Sequence, residues 1–230
     1  MWQHEFSEDD RKKIVMAGKN SLFKDEGRLA LDYLLKTRKF NKHSIDAFDV
    51  GYCPLHAPHQ LRGRIITPIH DYSGNIISIS TRHLDEDHPM RFWHEAFAKR
   101  FHVYGLHLSK KIILQKNKVV IVEGEFDALA LHSVGIRNVI ALCSKNLSLS
   151  QVGVLSRYTN NFILLLDEDP AGIKGVQSAK ELWEINFLKE KGLNLYVASL
   201  PLKDDPNDFL KKHDVKELQK ILIASQEEDF

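Results

Sequence analysis

Five acidic side chains follow short apolar segments of the chain, and their type and spacing could support chemistry. In chain order they are Glu123, Asp127, Asp167, Asp169 and Asp205. Carboxylates that gather in one place repel each other, and a shared divalent cation is the usual way in which proteins relieve that repulsion. We therefore expect a divalent metal site wherever the fold brings these acids together.

The segments before the acids have the pattern of strands that are covered on both faces. Residues 119–122 are all β-branched, and residues 161–166 and 194–200 form two further apolar runs. Parallel strands in an open α/β sheet present their carboxyl ends at one edge, where ligands usually bind. Gly124 permits the tight turn that a switch from strand to helix requires. The acids are thus predicted to lie at a common edge.

A simpler interpretation is that the acids only begin helices. Glu and Asp are favoured at the positive end of the helix dipole, and this would account for Glu123 and Asp127 taken alone. The arrangement recurs at two more predicted strand ends, however, where Asp167 and Asp205 stand. Recurrence at three strand ends favours a common site.

Strands and helices alternate through the second half of the chain. Strands are predicted at residues 118–122, 138–142, 161–166 and 194–199, and helices at 126–133, 149–157, 172–189 and, to close the chain, 209–223. Strict alternation implies parallel pairing and right-handed crossovers. Ser148 and Gln151 have the spacing of a capping box at the second of these helices. We therefore predict an α/β fold with a parallel sheet flanked by helices.

The first half of the chain has a different pattern. The predicted helices are a solvated one in residues 1–24, an amphipathic one at 26–38 and a short one that Ser44 caps and Gly51 ends. Residues 64–70 and 75–83 then alternate with the period of strands, and the turn at 72–75 joins them as a hairpin. A small mixed helical and antiparallel-β subdomain is therefore predicted before the parallel sheet, which makes the whole chain α+β.

Composition places limits on the partners of the protein. The 230 residues carry a formal charge of +1, so nucleic-acid binding would need a local basic patch. Arg82, Arg91, Lys99 and Arg100 form such a group in the sequence, although charges of this kind are often only solvated surface. Lys145 follows a predicted strand and could contact a phosphate at the carboxyl edge. Arginine and lysine both suit phosphate contacts.

Cysteine usage and hydropathy point to the compartment. Cys53 and Cys143 are far apart and show no C-x-x-C spacing, so neither a disulfide framework nor a zinc ribbon is expected. No apolar run approaches the roughly 18 residues that a membrane helix needs. We expect a soluble, cytoplasmic protein that does not bind membranes.

Several of these motifs together resemble a known family. The E-G-x-x-D turn at residues 123–127, followed about 40 residues later by D-x-D at 167–169, resembles the TOPRIM fold of topoisomerases, primases and related nucleases. The segment 205–210 is similar to the third acidic motif of DnaG-type primases, with Asn207 at the position of the second aspartate. The G-R-I-x-x-P-I run at 63–69 and the F-x-K…Y-G-L segment at 97–106 resemble the primase core.

The resemblance implies a DNA primase that makes short RNA primers by nucleotidyl transfer. It implies Mg²⁺ or Mn²⁺ as cofactor, with catalytic roles for Glu123, Asp127, Asp167 and Asp169. The implied metal ligands are Glu123, Asp167, Asp169, Asp205 and Asn207. The residues implied to grip the template or the nucleotide phosphates are Arg64, Arg82, Arg91, Lys99 and Lys145.

The same resemblance implies partners and a domain order. The partners are a single-stranded DNA template, nucleoside triphosphates, the RNA primer, and a replicative helicase or a separate zinc-binding primase module. The zinc-binding and helicase-docking domains of the family are not encoded in these residues, which would suit a small phage or plasmid primase acting in the replisome. The expected order is a primase-core subdomain at 1–106, a TOPRIM catalytic subdomain at 107–215, and a closing helix with an acidic tail at 216–230.

Two other functions use the same residues. A TOPRIM nuclease would use the carboxylates and the metal to activate water, although the basic segment at 62–105 would then be unnecessary. A non-catalytic TOPRIM module could hold replication proteins on DNA, although it would have no use for the carboxylates. A topoisomerase is excluded, because 230 residues leave no room for a tyrosine-bearing cleavage domain.

Overall fold

The computed structural model describes residues 6–57, 60–85, 87–144, 146–201 and 204–226. The chain divides into two compact units, which meet in sequence between Phe97 and Ala98. Lys145 and most of the acidic tail lie outside the described residues. Among the helices that are described, none is both long enough and apolar enough to cross a membrane.

The first unit is a four-stranded antiparallel sheet with helices packed on it. Its helices are α1 (Glu8–Leu22), α2 (Arg28–Asp32) and α3 (Lys42–Ala47), and its strands are β1 (Gly51–Cys53), β2 (Arg64–His70), β3 (Ile76–His83) and β4 (Phe92–His94). The strands lie in sequence order, as a meander. Helix α1 approaches β1 very closely, since a Cβ on Gly51 would lie 2.5 Å from the carbonyl carbon of Gly18.

Local details of the first unit differ from the sequence prediction. The predicted helix at 26–38 consists of α2 and a following π-helical turn, Tyr33–Thr37. The prediction that Ser44 caps the next helix is wrong, because Asn41 is the cap and its side chain accepts a hydrogen bond from the Ser44 amide at 2.7 Å. The prediction of two strands was incomplete, because β1 and β4 have only three residues each, too few to show an alternating pattern.

Asp49 joins α1 to the sheet through a lysine on the helix and a histidine on β2. Its carboxylate lies 2.6 Å from Lys19 Nζ and 3.2 Å from His70 Nε2. Burial raises the pKa of Asp49, but the hydrogen bonds from His70 and Lys19 outweigh that effect and bring the pKa down to about 2. The charged form is therefore favoured by folding, and Asp49 stabilises the first unit when it is ionised.

Asp49→Asn is expected to lower the free energy of unfolding by roughly 1 kcal/mol at pH 7, allowing for the partial exposure of the carboxylate. Asparagine tolerates the left-handed backbone of this residue, where φ is 54°. Since the folded pKa is below the usual 3.8, the stabilisation is complete above pH 3.8 and disappears as the pH falls through about 2. Urea unfolding between pH 2 and pH 7 measures the effect.

Asp46→Asn is the matched control, because Asp46 also faces Lys19, at 3.2 Å, but has a side chain that is 70% exposed. It should change the free energy of unfolding by less than about 0.5 kcal/mol. A loss in Asp49→Asn that did not shrink with acid would contradict the ionic origin of the effect.

The second unit is built on a parallel sheet, as predicted. Its strands are β5 (Val119–Val122), β6 (Val139–Ala141), β7 (Asn161–Leu164) and β8 (Asn194–Val197), and its helices are α4 (Leu106–Lys116), α5 (Glu125–Ser133), α6 (Leu149–Leu155), α7 (Pro170–Ile185), α8 (Pro206–Lys212) and α9 (Val215–Ala224). The strand order is β6-β5-β7-β8, with every pair parallel. The predicted α/β class is confirmed.

Capping explains where the helices of the second unit begin. The capping box that Ser148 and Gln151 form at α6 is present as predicted. The prediction of one closing helix at 209–223 is wrong, because Asp205 and Asp214 cap two separate helices, α8 and α9. An aspartate whose side chain binds the amides of the next turn stops the preceding helix and starts a new one.

The residues just after the division between the units are held by the parallel half. Gln151 Nε2 donates to the carbonyl oxygens of Lys99 and His102, at 3.0 and 2.8 Å. Tyr104 exchanges backbone hydrogen bonds with Ala141 on β6. Residues 98–106, which the sequence analysis grouped with the first subdomain, therefore pack with the second unit.

Candidate active site

Acidic residues follow three neighbouring strands of the parallel sheet. Glu123 comes directly after β5, Asp167 follows β7 and Asp205 follows β8. Strand β7 lies between the other two and pairs with both. All three acids therefore belong to the carboxyl edge of the sheet, which is where open α/β folds place their sites.

A glycine at the start of α7 lets two of these strand ends come together. A Cβ on Gly172 would lie 2.0 Å from the carbonyl oxygen of Asp167 and 3.0 Å from Glu123 Oε1. The first distance is far below any normal contact, so only glycine fits here. The side chain of Glu123 thus reaches from the end of β5 to the turn that carries Asp167.

The electrostatics of Asp167 show that negative charges are concentrated at this edge. Burial and the charges of Glu123 and Asp205, with smaller effects from other acids, raise the pKa of Asp167 to about 7. Its Oδ1 atom is buried and accepts no hydrogen bond from the described residues. These neighbours therefore favour the protonated form of Asp167, and a bound cation would favour the ionised form.

Asp127 lies behind that edge, on the first turn of α5. Burial, followed by the charges of Asp205 and Asp167, raises the pKa of Asp127 well above its usual value. Its Oδ1 lies 3.4 Å from the backbone nitrogen of Asn207 on α8. Asn207 is itself almost fully buried. Asp127 therefore links α5 to the first turn of α8.

Two of the predicted metal ligands also cap helices. Asp169 Oδ1 accepts hydrogen bonds from the amides of Ala171 and Gly172, at 2.7 and 2.8 Å. Asp205 Oδ1 accepts from the amide of Asp208 at 2.6 Å. Each carboxylate thus commits one oxygen to a helix start, as the simpler interpretation of such acids expects, and its role as a metal ligand stays a prediction.

The donor set suits a hard divalent cation, because it consists of carboxylate oxygens and includes the buried Oδ1 of Asp167. Within residues 6–57, 60–85, 87–144, 146–201 and 204–226, no three His, Cys, Asp or Glu side chains form a ready-made metal cage. The charges of Glu123 and Asp205 nevertheless act on Asp167 and raise its pKa. Metal binding here would require these side chains to move closer together.

The basic residues predicted to contact phosphates have different surroundings. Arg64 lies inside the first unit and donates to the carbonyl oxygens of Met90 and Arg91, at 2.5 and 3.2 Å. Burial lowers the pKa of its guanidinium. Its inward direction argues against a direct phosphate contact and gives Arg64 a structural role, which is to hold the segment before β4.

Arg82 and Arg91 are half-buried in the same unit, beside an aromatic ring. Their guanidinium carbons are 5.0 and 5.5 Å from the centre of the Phe92 ring. Lys99 belongs to a short turn of the second unit and is half-buried. Lys145 lies outside the described residues, so its predicted role stays a prediction.

Sequence reasoning missed two residues that shape these sites. Gly172 was predicted only as the start of a helix, and its close approach to Asp167 joins backbone segments in a way that residue type alone does not show. Phe92 was not singled out from the sequence, yet its side chain is 62% exposed. A strand of three residues offers no period from which the exposed face could be predicted.

Comparison with known proteins agrees with this geometry. Residues 120–210 match the Toprim-like family. A DNA primase from Synechococcus elongatus is 30% identical over 89% of this chain, which spans 35% of that relative. The solved Aquifex aeolicus primase, comprising zinc-binding and RNA polymerase domains, is 27% identical with a TM-score of 0.81, and the match covers 98% of this chain and 63% of that one.

A solved DnaG primase catalytic domain bound to single-stranded DNA has the same fold. It is 22% identical with a TM-score of 0.83, over 95% of this chain and 78% of that one. The chain thus contains a Toprim-like domain, a class whose members generally depend on a metal. More particularly, it is a homologue of the catalytic core of DnaG-type primases. It spans about a third of the length of the Synechococcus elongatus primase.

Proposed function

We propose that this chain is the catalytic core of a DNA primase, which joins ribonucleotides into short primers on a single-stranded DNA template. The observation that carries the proposal is the concentration of carboxylates after three adjacent parallel strands, reflected in the pKa of about 7 at Asp167. Homology to DnaG-type primases supports the same activity.

Some residues of the candidate site would bind the metal ion, and others would hold the segments that carry those ligands. Glu123, Asp167 and Asp205 would hold Mg²⁺ or Mn²⁺, with the second oxygen of Asp169 available beside them. A divalent ion bound there would orient the triphosphate and stabilise the attacking and leaving oxygens of nucleotidyl transfer. Asp127, which is buried beside the backbone N–H of Asn207, would keep the start of α8 in place. Asn207 would contribute to this contact through its backbone.

The substrates and partners follow from the same proposal. The ligands would be a DNA template, nucleoside triphosphates and the growing RNA primer, with Arg82, Arg91 and Lys99 as phosphate contacts. A separate zinc-binding module and a replicative helicase would supply template choice and loading, in the cytoplasmic replisome. The presence of a zinc-binding domain in the Aquifex aeolicus primase structure supports the first of these partners.

A dual-label assay distinguishes this function from its alternatives. The chain is incubated with single-stranded DNA labelled in one colour, ribonucleotides labelled in another, and Mg²⁺ or Mn²⁺, with and without a zinc-module partner. Short labelled RNA on an intact template is the expected result. A degraded template without RNA would indicate a nuclease. Tight DNA binding with neither product, even with the partner, would indicate a non-catalytic module.

A further inference from the structure

An exposed aromatic ring surrounded by arginines lies on the sheet of the first unit. Phe92 on β4 pairs directly with Arg82 on β3, so the two side chains share one face of the sheet. The next residue, Trp93, turns to the opposite face and packs in a cluster with Val15 and Ile79. The alternation leaves Phe92 at the surface, 62% exposed.

Rings and guanidinium groups alternate across this face. The guanidinium carbon of Arg38 lies 5.4 Å from the centre of the Tyr33 ring, and that of Arg82 lies 5.9 Å from Tyr33 and 5.0 Å from Phe92. Arg91 completes the series at 5.5 Å from Phe92. Cation–π pairs occur roughly once per 70–80 residues in proteins, so four such contacts among five side chains are a marked concentration.

The backbone before Phe92 is held firmly in place. Arg64 donates to the carbonyl oxygens of Met90 and Arg91, and the His83 amide donates to Arg91 at 2.8 Å. A ring whose backbone is fixed loses little entropy when a flat ligand stacks on the part of it that is exposed. A merely solvated ring would not need this support from a buried guanidinium.

We propose that Phe92, with Arg82 and Arg91, forms a stacking platform for a base of single-stranded DNA. Unpaired bases present π-faces to aromatic side chains, and the flanking guanidinium groups carry the charge that the DNA backbone requires. Duplex DNA conceals those faces, so the platform selects single strands. The inference rests on the proposed function, since a primase template is the natural ligand, and it names the residue that contacts a template base.

The test compares two fluorescein-labelled oligonucleotides on the full chain by fluorescence anisotropy. One is a 12-nucleotide oligothymidylate, and the other carries abasic sites at every internal position. Wild type is expected to bind the first at least about fivefold more tightly, since stacking on one base contributes roughly 5- to 150-fold in affinity. Phe92→Leu should lose this preference, whereas Phe92→Trp should keep it.

Phe23→Leu is the matched control, because Phe23 is a second exposed phenylalanine of the first unit, 48% exposed and beside Asp25 and Glu26. It should bind both oligonucleotides as wild type does. Equal binding of the two oligonucleotides by wild type, or an unchanged preference in Phe92→Leu, would overturn the proposal. Circular dichroism checks that each variant is folded.

The outcomes separate this inference from the proposed function. A chain that prefers base-bearing DNA and loses the preference in Phe92→Leu, yet makes no RNA under any condition, would keep the platform and refute the primase. A chain that makes RNA but binds abasic DNA equally well would keep the primase and refute the platform.

Discussion

Asp167→Asn is expected to abolish RNA primer synthesis while making the protein more stable at pH 8. Loss of a carboxylate that holds the ion should lower the rate by at least about 100-fold, since a bound ion lowers the activation barrier by several kcal/mol. The stability should rise because the substitution removes a charge that burial and neighbouring acids oppose. Labelled-nucleotide incorporation and thermal unfolding measure the two effects on the same preparations.

The gain in stability of Asp167→Asn over wild type should increase as the pH rises. The pKa of Asp167 is about 7 in the folded state and near 3.8 in the unfolded chain. Wild type therefore takes up a proton on folding between these values, and its stability falls as the pH rises from about 4 to about 7. Asparagine has no such proton, so the advantage of Asp167→Asn should be full at pH 8 and disappear near pH 4.

Glu168→Gln is the matched control, because Glu168 is the adjacent carboxylate and is also half-buried. It should keep synthesis within a few-fold of wild type. A fall in synthesis as large as that of Asp167→Asn would mean that the reaction depends on the total negative charge at this edge of the sheet rather than on the Asp167 carboxylate in particular. Loss of both synthesis and stability in Asp167→Asn would assign Asp167 a structural role instead.

Gly172→Ala is expected to damage both the fold and the activity. The added methyl group would lie 2.0 Å from the carbonyl oxygen of Asp167, which is backbone and cannot rotate away. The start of α7 must then shift, at a cost of about 1–3 kcal/mol or more. The shift also displaces Asp167 from Glu123, so RNA synthesis should fall by at least about tenfold. Thermal unfolding and nucleotide incorporation provide the measurements.

Gly153→Ala provides the opposite case in the same unit. Gly153 lies in α6, and a Cβ there would meet no atom within 4 Å. Alanine should therefore stabilise the helix by about 0.5–1 kcal/mol and leave synthesis unchanged. If Gly172→Ala behaved like Gly153→Ala, the close contact between the two strand ends would not exist in solution.

The parallel unit could be predicted from the sequence because its signals are local. Each strand consists mainly of consecutive apolar residues, and the capping box at Ser148 and Gln151 involves only residues close in sequence. The closing helix was misjudged because its apolar residues continue through the break at His213. The side chain of Asp214 binds the amides of Lys216 and Glu217, and this local competition ends one helix and starts the next.

The antiparallel unit was harder to predict, since side-chain direction there depends on distant residues. All seven residues of β2 are buried, so alternation could not show that Arg64 points inward. Its partners, Met90 and Arg91, are 26 and 27 residues away. The exposure of Phe92 likewise depends on which face of a three-residue strand the helices cover.

The candidate site could be predicted only in part, because some of its features depend on local sequence and others on contacts between distant residues. Glu123, Asp167 and Asp205 could be assigned to the carboxyl edge from the sequence, because alternating strands and helices imply parallel strands whose carboxyl ends lie at one edge. The sequence could not show that Asp127 is buried beside the backbone N–H of Asn207, since that contact joins residues 80 positions apart. Their roles in catalysis stay proposals.

Binding of Mn²⁺, followed by electron paramagnetic resonance, tests the central claim most directly, because it requires neither a template nor a partner protein. Wild type should bind Mn²⁺, and Asp167→Asn and Asp205→Asn should each weaken that binding by at least about tenfold. Glu168→Gln should bind as wild type does. Mn²⁺ binding that is unchanged in Asp167→Asn would contradict the claim that the acids after three strands hold the ion for primer synthesis.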